Sequence, residues 1–132
     1  MESECNTRPN VPVSIGELVD KYTILHIKRQ HVKTPEHIVM VEKELAYLRP
    51  IAERYNSAPE LVEELLVINR KLWEIEDKLR QKERLQLFDD DFIQLARSVY
   101  IMNDRRADTK LKINIKESSI LVEVKTYAPY RD

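Results

Sequence analysis

Four polar residues near the C-terminal end fall on one helical line: Asn103, Arg106, Lys110 and Asn114. With Phe92, Ala96 and Val99 they form a stripe about 80° wide at 100° per residue. The apolar half of the stripe belongs to a core, and the polar half continues the same inward line. Polar groups buried without partners are costly, so these four are either paired or line a wet cavity. An arginine one turn before a lysine, flanked by two amides, suits a phosphate or carboxylate ligand. The guanidinium offers a bidentate fork, the ammonium a point charge, and the amides take hydroxyls or a sugar. The segment from Asn103 to Lys116 carries five basic residues against two acids. The structural alternative is that basic residues late in a helix complement its dipole, with Arg106 paired to an acid from the first or third helix. Asp104, Arg105, Asp108 and Lys112 point the other way, to solvent.

A second line, Asn69, Trp73, Glu76 and Arg80, supplies an opposite wall. There Trp73 can stack a planar ring, and Glu76 can act as a general base or hold Arg106. The competing reading packs Trp73 at the edge of the helices and pairs Glu76 with Arg80 at the favourable four-residue spacing. The candidate ligand-binding set is therefore Asn103, Arg106, Lys110, Asn114, Trp73 and Glu76, with no catalytic residue and no cofactor assigned. No metal is expected: His26, His31 and His37 lack the four-residue spacing of a helical metal pair, and Glu76 with Asp77 has no ligand signature. His26, on an apolar helix face, reads as a hydrogen-bonded core histidine.

Composition narrows the chemistry further. The single glycine, Gly16, excludes glycine-rich phosphate loops, the dinucleotide fingerprint and the serine nucleophile elbow. The single cysteine, Cys5, excludes a disulfide framework and a cysteine-based zinc site, and reads as a free thiol on a frayed tail. A net charge of -1 argues against nonspecific binding to nucleic acid or a membrane surface. No signal peptide is visible in Met1 to Asn10, and no apolar run approaches the ~20 residues that span a bilayer, so a cytoplasmic address is expected. With 42% hydrophobic and 34% charged residues over 132 positions, one soluble, helix-rich domain is expected.

The elements that must position these residues are punctuated by prolines and caps. Ser14-Ile15-Gly16-Glu17 has capping-box spacing and starts helix 1, which runs to about His31. One of its faces carries Ile15, Leu18, Val19, Tyr22, Leu25 and His26; Ile24 and Ile27 lie on the other, beside Glu17 and Asp20. A helix apolar on both sides is central or lies in an oligomer interface. Thr34-Pro35 opens helix 2, with Ile38, Val41, Leu45, Leu48, Ala52 and Tyr55 in helical register, and Pro50 should kink it or end it early. A second capping box, Ser57-Ala58-Pro59-Glu60, opens helix 3, whose seam is Leu61, Leu65, Ile68, Leu72, Ile75 and Leu79. Asp89-Asp90-Asp91 begins helix 4, which extends to about Glu117. After Ser118-Ser119 the alternation of Ile120, Val122 and Val124 with Leu121, Glu123 and Lys125 has a strand's period of two. Its partner is either Val11–Ser14 or the same segment of a second chain, which points to a homodimer. The expected architecture is all-α: a tail (1–13), an antiparallel four-helix bundle (14–117) with helices 2 and 3 as a hairpin, and a short C-terminal strand and tail (118–132).

Ser14-Ile15-Gly16-Glu17-Leu18 with Asp20-Lys21 and Thr23-Ile24-Leu25 resembles the opening of a bacterial and phage family known only as a domain of unknown function. Val99-Tyr100-Ile101-Met102-Asn103-Asp104-Arg105-Arg106-Ala107, followed by Lys110, Ile113 and Asn114, resembles its closing motif, and Leu72 to Asp77 its middle. The resemblance covers about residues 11–117 and implies no activity, although members are similar to proteins found near surface-polysaccharide and glycosyltransferase genes. A second resemblance is to the all-helical chorismate mutases, which bury arginine and lysine in a bundle to hold a dicarboxylate. Where that family has an early arginine, this chain has Asp20 and Lys21. The acids Glu60, Glu63, Glu64, Glu76 and Asp77 do not have the spacing of an all-helical nucleotide pyrophosphohydrolase.

Three functions are left to weigh. The first is a binder of an anionic metabolite such as a sugar or nucleotide phosphate, the second a helical interaction module, and the third a small chorismate-mutase-like enzyme. A binding site predicts Arg106 and Lys110 without full acidic partners and facing a concavity. A device that fixes helix register predicts closed pairs and no cavity.

Overall fold

The computed structural model describes residues 7–131. Cys5 lies outside them. Four helices are packed together: α1 (Ile15–His31), α2 (Pro35–Ala52), α3 (Pro59–Leu85) and α4 (Asp90–Lys116). No described helix is long and apolar enough to cross a membrane.

Local chemistry sets each start. Ser14 caps α1, its Oγ accepting the Glu17 N–H at 3.0 Å. Glu17 does not complete the capping box; its carboxylate is drawn to Lys110 instead. Asp89 caps α4 by accepting the Phe92 N–H at 2.9 Å. That bond, with Lys82 beside it, holds the Asp89 carboxyl below its usual range. The expected capping box at α3 does not form. Ala58 is the cap residue, and Ser57 turns away so that its N–H and Oγ donate to Glu117 at the end of α4. The stronger acceptor, a carboxylate, takes the serine. α2 ends two residues after Pro50, so Tyr55 falls outside it; the proline terminates the helix early.

Packing then departs from the expected hairpin of helices 2 and 3. Among the helices, α2 packs on α1 alone, whereas α3 and α4 pack on each other and both on α1. The reason is the two-sided apolarity of α1. One side buries Leu25 against Val41 and Leu45 of α2; the other buries Val19 with Leu65 of α3 and Ile113 of α4. The two leucine seams are therefore used on opposite sides of a shared helix, each buried side chain contributing roughly 1.5–3 kcal/mol.

The expected C-terminal strand is also absent: no strand occurs among the described residues. Val11–Ser14 offers no ladder. Instead Ser119 Oγ accepts the Ile15 N–H at 3.0 Å and donates to Leu121 O at 2.7 Å. Beyond it the chain runs back along α4, tied by Lys125 to Asp104 at 3.1 Å and by Tyr130 against Tyr100. With only one glycine in the chain, the left-handed positions after α3 and α4 fall to Gln86 (φ 57°) and Ser118 (φ 56°).

Candidate functional site

The polar stripe of α4 faces the N-terminal half of α1, and each of its three inner members meets one partner there. Asn114, 2% exposed, accepts the Gly16 N–H through Oδ1 at 2.6 Å. Lys110 Nζ donates to Glu17 at 2.6 Å. Arg106 donates through Nε to Asp20 Oδ1 at 3.0 Å and through Nη2 to Asp20 Oδ2. The order 16, 17, 20 against 114, 110, 106 makes α1 and α4 antiparallel. At the first rung the backbones approach so closely that a Cβ on Gly16 would lie 2.6 Å from Lys110 O. The single glycine serves this crossing, not a phosphate loop or a turn.

Asp20 is the centre of the network and only 1% exposed. Besides the arginine it accepts from Asn69 Nδ2 at 2.9 Å; the same nitrogen donates to Thr23 Oγ1 at 3.0 Å, and Thr23 donates to Asp20 O at 2.7 Å. Arg106 of α4 and Asn69 of α3 thus place three donors on one buried carboxylate, and among the described residues no buried side-chain polar atom lacks a partner. The hydrogen bonds to Asp20 push the Arg106 guanidinium further above its already high range, against the opposing effect of burial.

Saturation is not complete on the outer side. Arg106 uses one edge of its fork, Nε and Nη2; among the described residues Nη1 has no partner. Arg106 lines two clefts. The first, about 670 Å³, separates α4 from the C-terminal segment and is lined by Tyr100, Asn103, Arg106, Lys110, Tyr127 and Tyr130, among others. The second, about 430 Å³, lies between α1, α3 and α4 and includes Trp73, Glu76, Arg80, Asn103 and Arg106. Asn103, exposed, belongs to both.

The six predicted residues are therefore not one constellation. Asn103, Arg106 and Lys110 share the first cleft; Asn103, Arg106, Trp73 and Glu76 share the second. Asn114 is committed to Gly16. Trp73 stacks on His31 with ring centroids 4.6 Å apart, and Glu76 pairs with Arg80 at 3.1 Å, so Asp20 and not Glu76 holds Arg106. Asp104, expected in solvent, pairs with Lys125. Lys110 is doubly opposed, by Glu17 and by Glu123 at 3.5 Å. His26 lies edge-on to Tyr22 at 4.6 Å, and burial pulls its imidazole below the usual range.

Sequence reasoning missed Asp20 as the hub, Thr23 as its support, and the three tyrosines. A signal for the hub existed: Gly16, Asp20 and Thr23 form their own helical line, with acids at 17 and 20 matching cations at 110 and 106. Among the described residues no group of three His, Cys, Asp or Glu side chains is placed to hold a metal ion. The acids Glu60, Glu63 and Glu64 border a separate cleft with Lys71 and Arg105, away from Glu76 and Asp77.

Over residues 9–130 the chain matches a family described as a family of unknown function, DUF6165. No curated protein and no solved structure matches it.

Proposed function

The chain belongs to DUF6165, a family of unknown function, and within it we propose a non-catalytic binding protein for a small anionic molecule with a planar or sugar-like body. The observation that carries this reading is Arg106, its Nη1 without a partner among the described residues, in the lining of the cleft that also holds Lys110, Asn103 and three tyrosines. Asp20 fixes the guanidinium plane from behind, so its remaining donors are pre-oriented, and little entropy is lost when an anion arrives. Lys110 contributes by exchanging Glu123, the longer of its two contacts, for the ligand. The tyrosines offer flat surfaces for a ring. Because Lys110 and Arg106 already face three carboxylates, the ligand carries one anionic group, not two. The same acids argue against the chorismate-mutase analogy: where that family's early arginine would help hold a dicarboxylate, Asp20 places a carboxylate. Asp20 itself, engaged by Arg106 and Asn69, is not placed to act as a base.

A second reading has its own observation. Arg106, Lys110 and Asn114 each close on a partner from α1, which is what a register device requires. In that case the stripe only aligns α1 with α4, and function lies on an exposed protein-binding face. The sequence-level criterion thus returns a split result: closed pairs, beside open clefts.

Thermal-shift and calorimetric titration with inorganic phosphate, a nucleoside monophosphate and a hexose phosphate separates the two. Binding predicts stabilisation of several degrees at about 100 times Kd. Asn103→Asp and Tyr127→Ala, both at exposed positions, should leave the melting temperature of the free protein unchanged and weaken the ligand at least about tenfold. No shift with any of these probes sinks the anion reading in favour of the register device.

A further inference from the structure

We propose that the segment following α4 is the dimerisation strand of this protein, pairing antiparallel with the same segment of a second copy about a two-fold axis at Val124. Among the described residues, no backbone–backbone hydrogen bond involves residues 120–131. Between bends at Ile120 and Tyr127 the chain is free of turns. Glu123 reaches Lys110 and Lys125 reaches Asp104, positions about 9 Å apart along a helix at 1.5 Å per residue. Residues 121–126 carry no helix, turn or bend, and two positions two apart in the segment meet helix positions six apart, so the run lies along α4. An extended run with open backbone groups is a template for another strand.

Glu123 and Lys125 lean on α4, while Ile120 is 97% and Val124 80% exposed. Those β-branched side chains, standing in water with nothing over them, are the feature that native edges normally avoid.

Self-complementarity selects the occupant and the register. With Val124 opposite its own copy, Glu123 of each chain stands directly across from Lys125 of the other. Val122 then faces Thr126, within the run between the bends at Ile120 and Tyr127. Sliding by one pair in either direction sets Glu123 against Glu123 or Lys125 against Lys125, and like charges directly opposite destabilise a ladder. Odd slips move every side chain to the wrong face. Only the register at Val124 extends the contacts already present into an alternating series, Lys110 to Glu123 to the partner's Lys125 to the partner's Asp104. The interface is isologous, as a two-fold dimer requires, and it lies alongside the first cleft, whose wall includes Tyr127.

Light scattering on a sizing column at roughly 100 μM should give twice the 15.7 kDa chain mass. In a Cys5→Ser background, Val124→Cys should form a disulfide-linked dimer under mild oxidation, because the two positions face each other across the axis. Leu121→Cys should not, since its copies lie about 20 Å apart at 3.3 Å per residue. Val124→Glu, beyond the last helix, should weaken the dimer at least tenfold while leaving the melting curve of the monomer unchanged. A monomer at that concentration overturns the proposal. So does a dimer that survives Val124→Glu, or one in which Leu121→Cys cross-links as readily as Val124→Cys.

Discussion

The two sides of α1 are held by different physics. Toward α2 the contact is Leu25 against Val41 and Leu45, ringed by exposed ion pairs, Lys21 with Glu44 and Arg29 with Glu42. Toward α3 and α4 the apolar cluster of Val19, Leu65 and Ile113 lies beside a ladder of directional bonds centred on Asp20. Apolar contact is non-directional and tolerates sliding by a turn; a saturated carboxylate does not. The first side therefore supplies affinity between helices, and the second supplies register. Exposed pairs such as Lys21–Glu44 add little to either, typically below about 1 kcal/mol.

Removing the hub should produce the largest effect. Asp20→Ala leaves Arg106 and Asn69 without their acceptor, and breaking a buried pair in this way costs about 3–5 kcal/mol, measurable by urea denaturation. Asp20→Leu with Arg106→Met tests the claim about register. Apolar replacement of a buried pair is often neutral in stability, so most of the loss should be recovered. The amide spectrum should then show more than one conformer if the ladder sets the register. A single sharp set of resonances from that double variant would mean the apolar contacts align the helices unaided.

Leu45→Ala comes next, at about 3 kcal/mol for a buried leucine. Its failure should look different: a lower denaturation midpoint with an unchanged, single-conformer spectrum. Gly16→Ala ranks third, at about 2 kcal/mol, because the added Cβ meets a backbone oxygen of α4 that cannot swing aside. This loss should fall on the ladder side alone, seen as faster hydrogen exchange at the start of α1 while α2 keeps its protection.

Much of this arrangement was legible in the residues, and the parts that were not share a cause. Helix ends at Ser14, Thr34 and Asp89, and the inward placement of Arg106, Lys110 and Asn114, follow from local chemistry and period, which one segment carries by itself; Asn103, on the same line, is exposed. The two-sided α1 was readable as a central helix for the same reason. The pairing of α2 was not, because leucine seams are interchangeable and nothing in either one names its partner. Ser57 was misassigned because its competing acceptor, Glu117, is 60 residues away in the chain. The strand failed by the same logic: alternation encodes a willingness to pair, whereas the ladder depends on a second strand. For the candidate site, the inward arginine and lysine were visible, but which acid met which cation depended on the crossing at Gly16.

The smallest effect separates the two sides of α1 by pH. His26 lies with Tyr22 on the α2 side, and burial holds its imidazole below the usual value near 6.5 in the folded state. Unfolded, it titrates at that usual value. Between the two values the unfolded chain binds more protons, so stability falls as pH drops below about 6.5 and levels off once the folded form is also protonated. Arg106 behaves oppositely: raised above a range no protein solution reaches, it stays charged, and contributes no slope there. His26→Gln should therefore flatten the loss of melting temperature between pH 7.5 and 5.5 relative to the parent. Asp20→Ala should lower both ends of that profile and leave its slope alone. An unchanged slope in His26→Gln would place the acid sensitivity elsewhere and remove the one titrating difference between the two faces.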